Sequence, residues 1–221
     1  VTIDKYVCVT INKGSPFFDH GIRVNYAKSE TVRCVDDIKH PSVRAVLKTI
    51  GLDDLLDIHV FADLPARTGL GSSSAFTVCF LNACHAYQGR FVGKRQLAEE
   101  AIHIEQEILK ENVGIQDQMH AAIGGLNVIR ADVQGIEVQP VIVSQEKLRL
   151  IEGSLLLFYT RMTRSASEVV EEQLEHTRDL KVDRQLDRMA AQVDEAQELL
   201  SAYGGLELLK RFGLLLQEGW E

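Results

Sequence analysis

The run Pro65-Ala66-Arg67-Thr68-Gly69-Leu70-Gly71-Ser72-Ser73-Ser74-Ala75 constrains this chain more than any other segment. An apolar, β-rich stretch from Asp57 to Leu64 leads into it and a helix-prone stretch from Phe76 to Tyr87 leads out, so the glycines and serines occupy a strand-to-helix turn. The first N–H groups of a helix have no partner within it and the helix dipole is positive at that end, which makes such a turn a site for anions. Gly69 and Gly71 supply permissive dihedrals and, with no Cβ, let a phosphate approach the main chain. Ser72, Ser73 and Ser74 suit helix caps, and a hydroxyl beside bound phosphate can also ligate Mg²⁺.

Two familiar phosphate motifs fail here. A Walker A loop needs a lysine where Ser72 stands, and a dinucleotide fingerprint needs a third glycine where Ser74 stands. The plain alternative is a tight turn before a serine-capped helix, for which one serine would be enough.

A second candidate cluster lies downstream. Ile104 to Gln118 contains an acidic helix end with Glu105 and Glu107, then Gly114, then the isolated Asp117, twelve positions after Glu105. Each acid has an ordinary structural reading. Asp117 could cap the helix predicted over 118–123, and Glu105 with Glu107 could form a solvated helix face.

These two segments resemble the motifs of the small-molecule kinases grouped as galactokinase, homoserine kinase, mevalonate kinase and phosphomevalonate kinase, the GHMP kinases. The similarity runs from about Thr2 to Trp220. Within that family, Glu105-Gln-Glu-Ile-Leu, Gly114-Ile-Gln-Asp-Gln, Gly124-Gly125 and Tyr159-Thr-Arg-Met-Thr-Arg-Ser-Ala are most similar to the D-glycero-D-manno-heptose 7-phosphate kinases. The resemblance implies ATP and Mg²⁺ as cofactors, with Gly69, Leu70, Gly71, Ser72, Ser73 and Ser74 around the triphosphate. It implies Ser73 and Glu105 as the Mg²⁺-holding pair and Asp117 as the catalytic residue at the acceptor hydroxyl. Another sugar kinase of the group, a fucokinase or galactokinase, and a non-catalytic nucleotide- or sugar-binding relative are the alternatives.

The residue types suit that chemistry. Phosphoryl transfer needs positioning and charge neutralisation more than covalent help. Mg²⁺ takes oxygen ligands, usually one or two carboxylates together with substrate phosphates. An aspartate at the acceptor can take a hydroxyl proton as general base. Arg164, next to Ser165, has the fork geometry that binds a phosphate in bidentate fashion, such as the 7-phosphate of a heptose, and could equally be a surface or interface arginine.

Composition sets outer bounds. The net charge of −8, with no basic stripe, argues against nucleic acid as a partner. Apolar residues are 45% of the chain, yet no apolar run approaches the roughly 20 residues a bilayer requires. No export signal is visible at Val1 to Tyr6, and a cytoplasmic enzyme acting on a small sugar phosphate is expected. Cys8, Cys34, Cys79 and Cys84 lack metal or redox spacing and read as reduced thiols.

Periodicity predicts strands at 2–12, 21–25, 31–36 and 58–64, and helices at 41–50, 76–87, 94–110 and 118–123. Strands are predicted at 126–130, 135–143 and 148–160, then helix from the capping box at Ser165 onward with a break near Gly204-Gly205. Strands first and helices last fit an α+β class. The resemblance adds a ribosomal-protein-like N-terminal domain with a left-handed β-α-β unit over 1–151, a ferredoxin-like C-terminal domain over 152–221, and a site in the cleft between them. It also implies that a first, glycine-containing motif would lie before Val1 and a last one after Glu221.

Overall fold

The computed structural model describes residues 1–17, 21–65, 68–158 and 183–220. They fall into two compact units, Val1–Gly125 and the described residues from Leu126 on.

The first unit is built on a four-stranded sheet. Its strands are β1 (Val7–Lys13), β2 (Ile22–Asn25), β3 (Ser29–Val32) and β4 (Leu56–Ala62), in the order β1-β4-β2-β3. β2 runs parallel to β4, and the other pairings are antiparallel. A parallel pair needs a long connection. Here it contains β3, a 3₁₀ turn at Val35–Asp37 and helix α1 (Pro41–Ile50). The third strand is therefore shorter than the 31–36 pattern suggested, because residues 35–37 turn toward the start of α1.

Register explains the core. Val9 faces Val60, Ile11 faces Ile58, and Ile58 also faces Val24, so one sheet face is aliphatic. Side chains alternate across a strand, which puts Thr10, Asp57 and His59 on the other face. The aliphatic face joins Val43, Val46 and Leu47 of α1 and Phe76, Phe80 and Leu81 of helix α2 (Ser72–Tyr87) in a single buried cluster. Phe76 and Phe80, one turn apart, stack at 5.6 Å between ring centroids.

α1 shows how local sequence sets a helix. Pro41 occupies its first turn, where no N–H is needed. Gly51 ends it in the left-handed conformation at φ 72°, donating back to the last turn. Helix α3 (Lys94–His103) continues into a π turn at Ile104–Ile108, and α4 (Gln116–Ile123) follows. The predicted helix over 94–110 thus ends in a π turn: Leu109 N–H reaches the Ile104 carbonyl, an i→i+5 bond of 2.9 Å.

The second unit holds the hairpin β5 (Asn127–Asp132) and β6 (Gly135–Pro140) and the helices α5 (Gln145–Glu152), α6 (Asp183–Ala202) and α7 (Gly205–Trp220). Asp132 closes the hairpin turn, its Oδ1 accepting from the N–H of Gln134 and Gly135 at 2.7 and 3.2 Å. The predicted strand over 148–160 is corrected. Ser144 caps a helix there, its hydroxyl accepting from Lys147 N–H, and the apolar Leu148 and Ile151 recur at helical spacing. The Lys147 ammonium then donates to the Leu200 and Ser201 carbonyls at the end of α6, as a cation at a helix C-terminus should. The predicted capping box at Ser165 lies outside the described residues. No helix among the described residues is long and apolar enough to cross a membrane.

Candidate active site

The glycine-serine segment forms the expected turn between β4 and α2. Ala66 and Arg67 lie outside the described residues. Gly69 and Gly71 both take left-handed φ values, 75° and 69°, which disfavour any residue with a Cβ. α2 starts at Ser72 with Gly71 in the cap position, and no side chain caps it. The first intrahelical bond runs from Ala75 N–H to the Gly71 carbonyl at 2.9 Å. The main-chain N–H groups of Ser72, Ser73 and Ser74 precede that bond and are left for an outside acceptor. A serine-capped helix does not form here.

Helical register separates the three serines. Ser74 points inward and is buried, while Ser73 is exposed. The Ser74 hydroxyl donates to Glu105 Oε2 at 2.8 Å. The Ser73 carbonyl accepts from the Thr77 hydroxyl at 3.2 Å, and its own side chain is exposed.

Glu105 is 1% exposed. It continues the buried stripe of α3 formed by Ala98 and Ala101, and the π turn begins around it. A second donor, the Gln118 side-chain amide, reaches Glu105 Oε2 at 2.5 Å. Glu105 Oε1 is buried and has no hydrogen-bond partner among the described residues. A buried carboxylate oxygen without a donor is costly unless a cation or proton meets it. Burial, and then the charge of Glu105, raise the nearby Glu111 carboxyl above its usual range.

Asp117 is the second residue of α4. The cap position belongs to Ile115, with no side-chain cap bond, so Asp117 is not a helix cap. Its carboxylate is exposed and lies against the glycine turn: a Cβ built on Gly71 would stand 3.0 Å from Asp117 Cγ and 3.2 Å from Oδ2. The fold therefore brings Gly71, Ser74, Glu105 and Asp117 together within the first unit, although they span 71 to 117 in sequence. Arg164 lies outside the described residues.

The donor set fits Mg²⁺ held jointly with phosphate oxygens. No group of three or more His, Cys, Asp or Glu side chains able to hold a metal occurs among the described residues. A cation here would take Glu105 Oε1, hydroxyl oxygen and substrate oxygens, the pattern usual for Mg²⁺ beside a nucleotide.

Gln118 escaped the sequence reading, and Ser74 was expected at the phosphate turn but not as the partner of Glu105, because it could not be told from Ser73 without the start of α2. Gln118 adjoins Asp117 and precedes Met119, also buried, which was the available hint that it faces inward.

The first unit, part of an α+β fold, thus carries a glycine-serine turn, a buried carboxylate and an exposed aspartate against the turn. Residues 36–125 match the GHMP kinases N terminal domain. The chain is similar to D-glycero-alpha-D-manno-heptose 7-phosphate kinase of Campylobacter jejuni, with 27% identity over 180 residues, 77% of this chain and 53% of the relative. It thus spans about half the length of that relative. Among solved structures, a D-glycero-D-manno-heptose 1-phosphate kinase from Bacteroides thetaiotaomicron superposes with a TM-score of 0.55 at 23% identity, covering 64% of this chain and 50% of the other. L. major mevalonate kinase in complex with R-mevalonate superposes at 0.64 with 19% identity, covering 98% and 65%. These structures share the α+β GHMP kinase fold.

Proposed function

We propose that the chain is part of an ATP- and Mg²⁺-dependent kinase that phosphorylates a hydroxyl of a sugar phosphate, with D-glycero-D-manno-heptose 7-phosphate as the acceptor and its anomeric hydroxyl as the site. The observation that carries this reading is the contact of Asp117 with Gly71, at the same turn whose Ser74 is bonded to Glu105. Phosphate cradle, cation-binding carboxylate and proton acceptor then meet at one turn. The choice of heptose 7-phosphate is supported by the similarity to the Campylobacter jejuni enzyme named for that substrate.

In this reading, Gly69 to Ser74 bind the triphosphate through main-chain N–H groups and the positive end of α2. Glu105, with serine hydroxyl oxygen from Ser73 or Ser74, would hold Mg²⁺, which when bound neutralises charge on the phosphate oxygens. Asp117 orients the acceptor hydroxyl and accepts its proton as the hydroxyl oxygen bonds to the γ-phosphorus and the bond to the β-phosphate oxygen breaks, releasing ADP. Arg164 is proposed to bind the phosphate already on the sugar. Two domains, 1–151 for ATP and 152–221 toward the C-terminus, belong to the same proposal.

The test incubates the native protein with ATP, Mg²⁺ and a panel of heptose 7-phosphate, galactose, fucose and mevalonate, with ³¹P spectra of the products. Conversion of the heptose 7-phosphate to a bisphosphate with ADP release is expected. Transfer to galactose or fucose alone would leave a sugar kinase with another substrate, and no transfer to any acceptor would overturn the reading.

A further inference from the structure

Gln118 is wholly buried, whereas Asp117 beside it on α4 is exposed. Because a carboxylate oxygen only accepts, it is the amide nitrogen of Gln118 that faces Glu105 Oε2, at 2.5 Å. The amide carbonyl, Oε1, has no partner among the described residues. Both donors in the cluster, Ser74 on α2 and Gln118 on α4, therefore converge on one oxygen of Glu105 and leave the other bare.

We infer that Gln118 is a positioning residue of the cation subsite: its amide fixes the plane of the Glu105 carboxylate so that Oε1 is the coordinating oxygen. The inference rests on the proposed reading of Glu105 as the Mg²⁺-holding carboxylate. The last torsion of a glutamate is broad, so one donor leaves the carboxylate free to turn. Two donors from different helices fix both its plane and the oxygen left over. Mg²⁺ demands near-ideal octahedral geometry, so a ligand that can rotate away binds it more weakly. The neighbouring position of Asp117 has a second consequence. Any shift of α4 that breaks the Gln118 bond also moves Asp117 from Gly71, so cation binding and placement of the proton acceptor share one helix.

The test uses Gln118→Met, which keeps the length and apolar stem of the side chain and removes the donor. Mn²⁺ affinity is read by electron paramagnetic resonance in the native protein with a non-hydrolysable ATP analogue, beside Glu105→Gln and the exposed Gln116→Ala. Partners that orient a metal ligand typically contribute 10- to 100-fold in affinity, so Gln118→Met should weaken Mn²⁺ by about 10- to 100-fold. Its affinity for the analogue without metal should stay within a few-fold, and Gln116→Ala should change neither. Should Gln118→Met not fold, as a metal-free thermal melt would show, Gln118→Asn, one methylene too short to reach, is expected to weaken Mn²⁺ equally. If the folded Gln118 variant keeps wild-type Mn²⁺ affinity while Glu105→Gln loses it, the positioning role is overturned and the reading of Glu105 stands. If Glu105→Gln also leaves Mn²⁺ affinity unchanged, the reading of Glu105 fails and the inference with it.

Discussion

Gly71 and Asp117, 46 residues apart in sequence, are packed so closely that a β-carbon on the glycine would meet the carboxylate carbon at 3.0 Å. The phosphate turn and the proposed proton acceptor thus meet at a point where a β-carbon would press directly on the carboxylate. The left-handed φ of 69° at Gly71 adds a second, independent reason for its identity.

Comparing two glycines separates those reasons. Gly69 has a similar φ of 75°, but a Cβ there would meet nothing within 4 Å. Gly69→Ala and Gly71→Ala should carry the same backbone strain, about 1–2 kcal/mol. Only Gly71→Ala should also push Asp117 aside, by a few tenths of an ångström, and misplacement of a catalytic group lowers the rate. Steady-state kinetics on both variants, with melts to confirm folding, should show a larger kcat loss at Gly71. Equal losses would leave strain alone as the cause.

Much of this site was legible because its signals are local. Pro41 and Gly51 mark the ends of α1, and two glycines before serines mark the turn ahead of α2. What was not legible depends on register. Three consecutive serines carry no sign of which one faces Glu105; that is decided by α2 starting at Ser72, which turns Ser74 inward and Ser73 out. The π turn at Ile104–Ile108 has no sequence signature, although Glu105 does fall on the apolar stripe of Ala98 and Ala101. Leu148 to Thr160 was misread because its apolar residues fit both periods, and the Ser144 cap that settles the matter lies just before them.

The same register makes Ser73 and Ser74 separable by experiment. Ser74→Ala removes a buried hydrogen bond to a charged group, a contribution of about 1.5–3 kcal/mol, so it should lower the melting temperature. Ser73→Ala changes an exposed hydroxyl and should leave the melt nearly unchanged. If Ser73 nevertheless reaches the cation, its variant should raise the Mg²⁺ concentration needed for half-maximal activity. Magnesium titrations of both variants check this, and a raised Mg²⁺ requirement in Ser74→Ala alone would move the ligand role to Ser74.

Glu111 reports on the charge of Glu105. Burial first, and the neighbouring Glu105 second, raise its carboxyl above the ordinary value of 4.5. The folded protein therefore binds a proton at Glu111 more tightly than the unfolded chain does, so this group's contribution is full below 4.5 and is lost as pH rises through the higher folded value. Glu111→Gln should match wild type in melting temperature at low pH and exceed it near neutrality. Melts across that range check the sign, and a variant less stable than wild type at neutral pH would contradict it.

Asp117 decides between a kinase and a binding-only relative. Asp117→Asn keeps the size and hydrogen-bonding shape of the side chain while removing its charge and its capacity to take a proton. Because Asp117 is the second residue of α4 and not its cap, the exchange should leave the helix intact. If Asp117 orients and deprotonates the acceptor hydroxyl, kcat should fall by roughly 10²–10⁴ with ATP affinity within a few-fold. The contact with Gly71 is preserved by the isosteric amide, so the phosphate turn should not move. Steady-state assays of both proteins, calorimetry with ATP and a matched thermal melt give the three readouts needed. A variant that folds, binds ATP and transfers phosphate at the wild-type rate would remove Asp117 from the chemistry and leave the turn as a nucleotide-binding element alone.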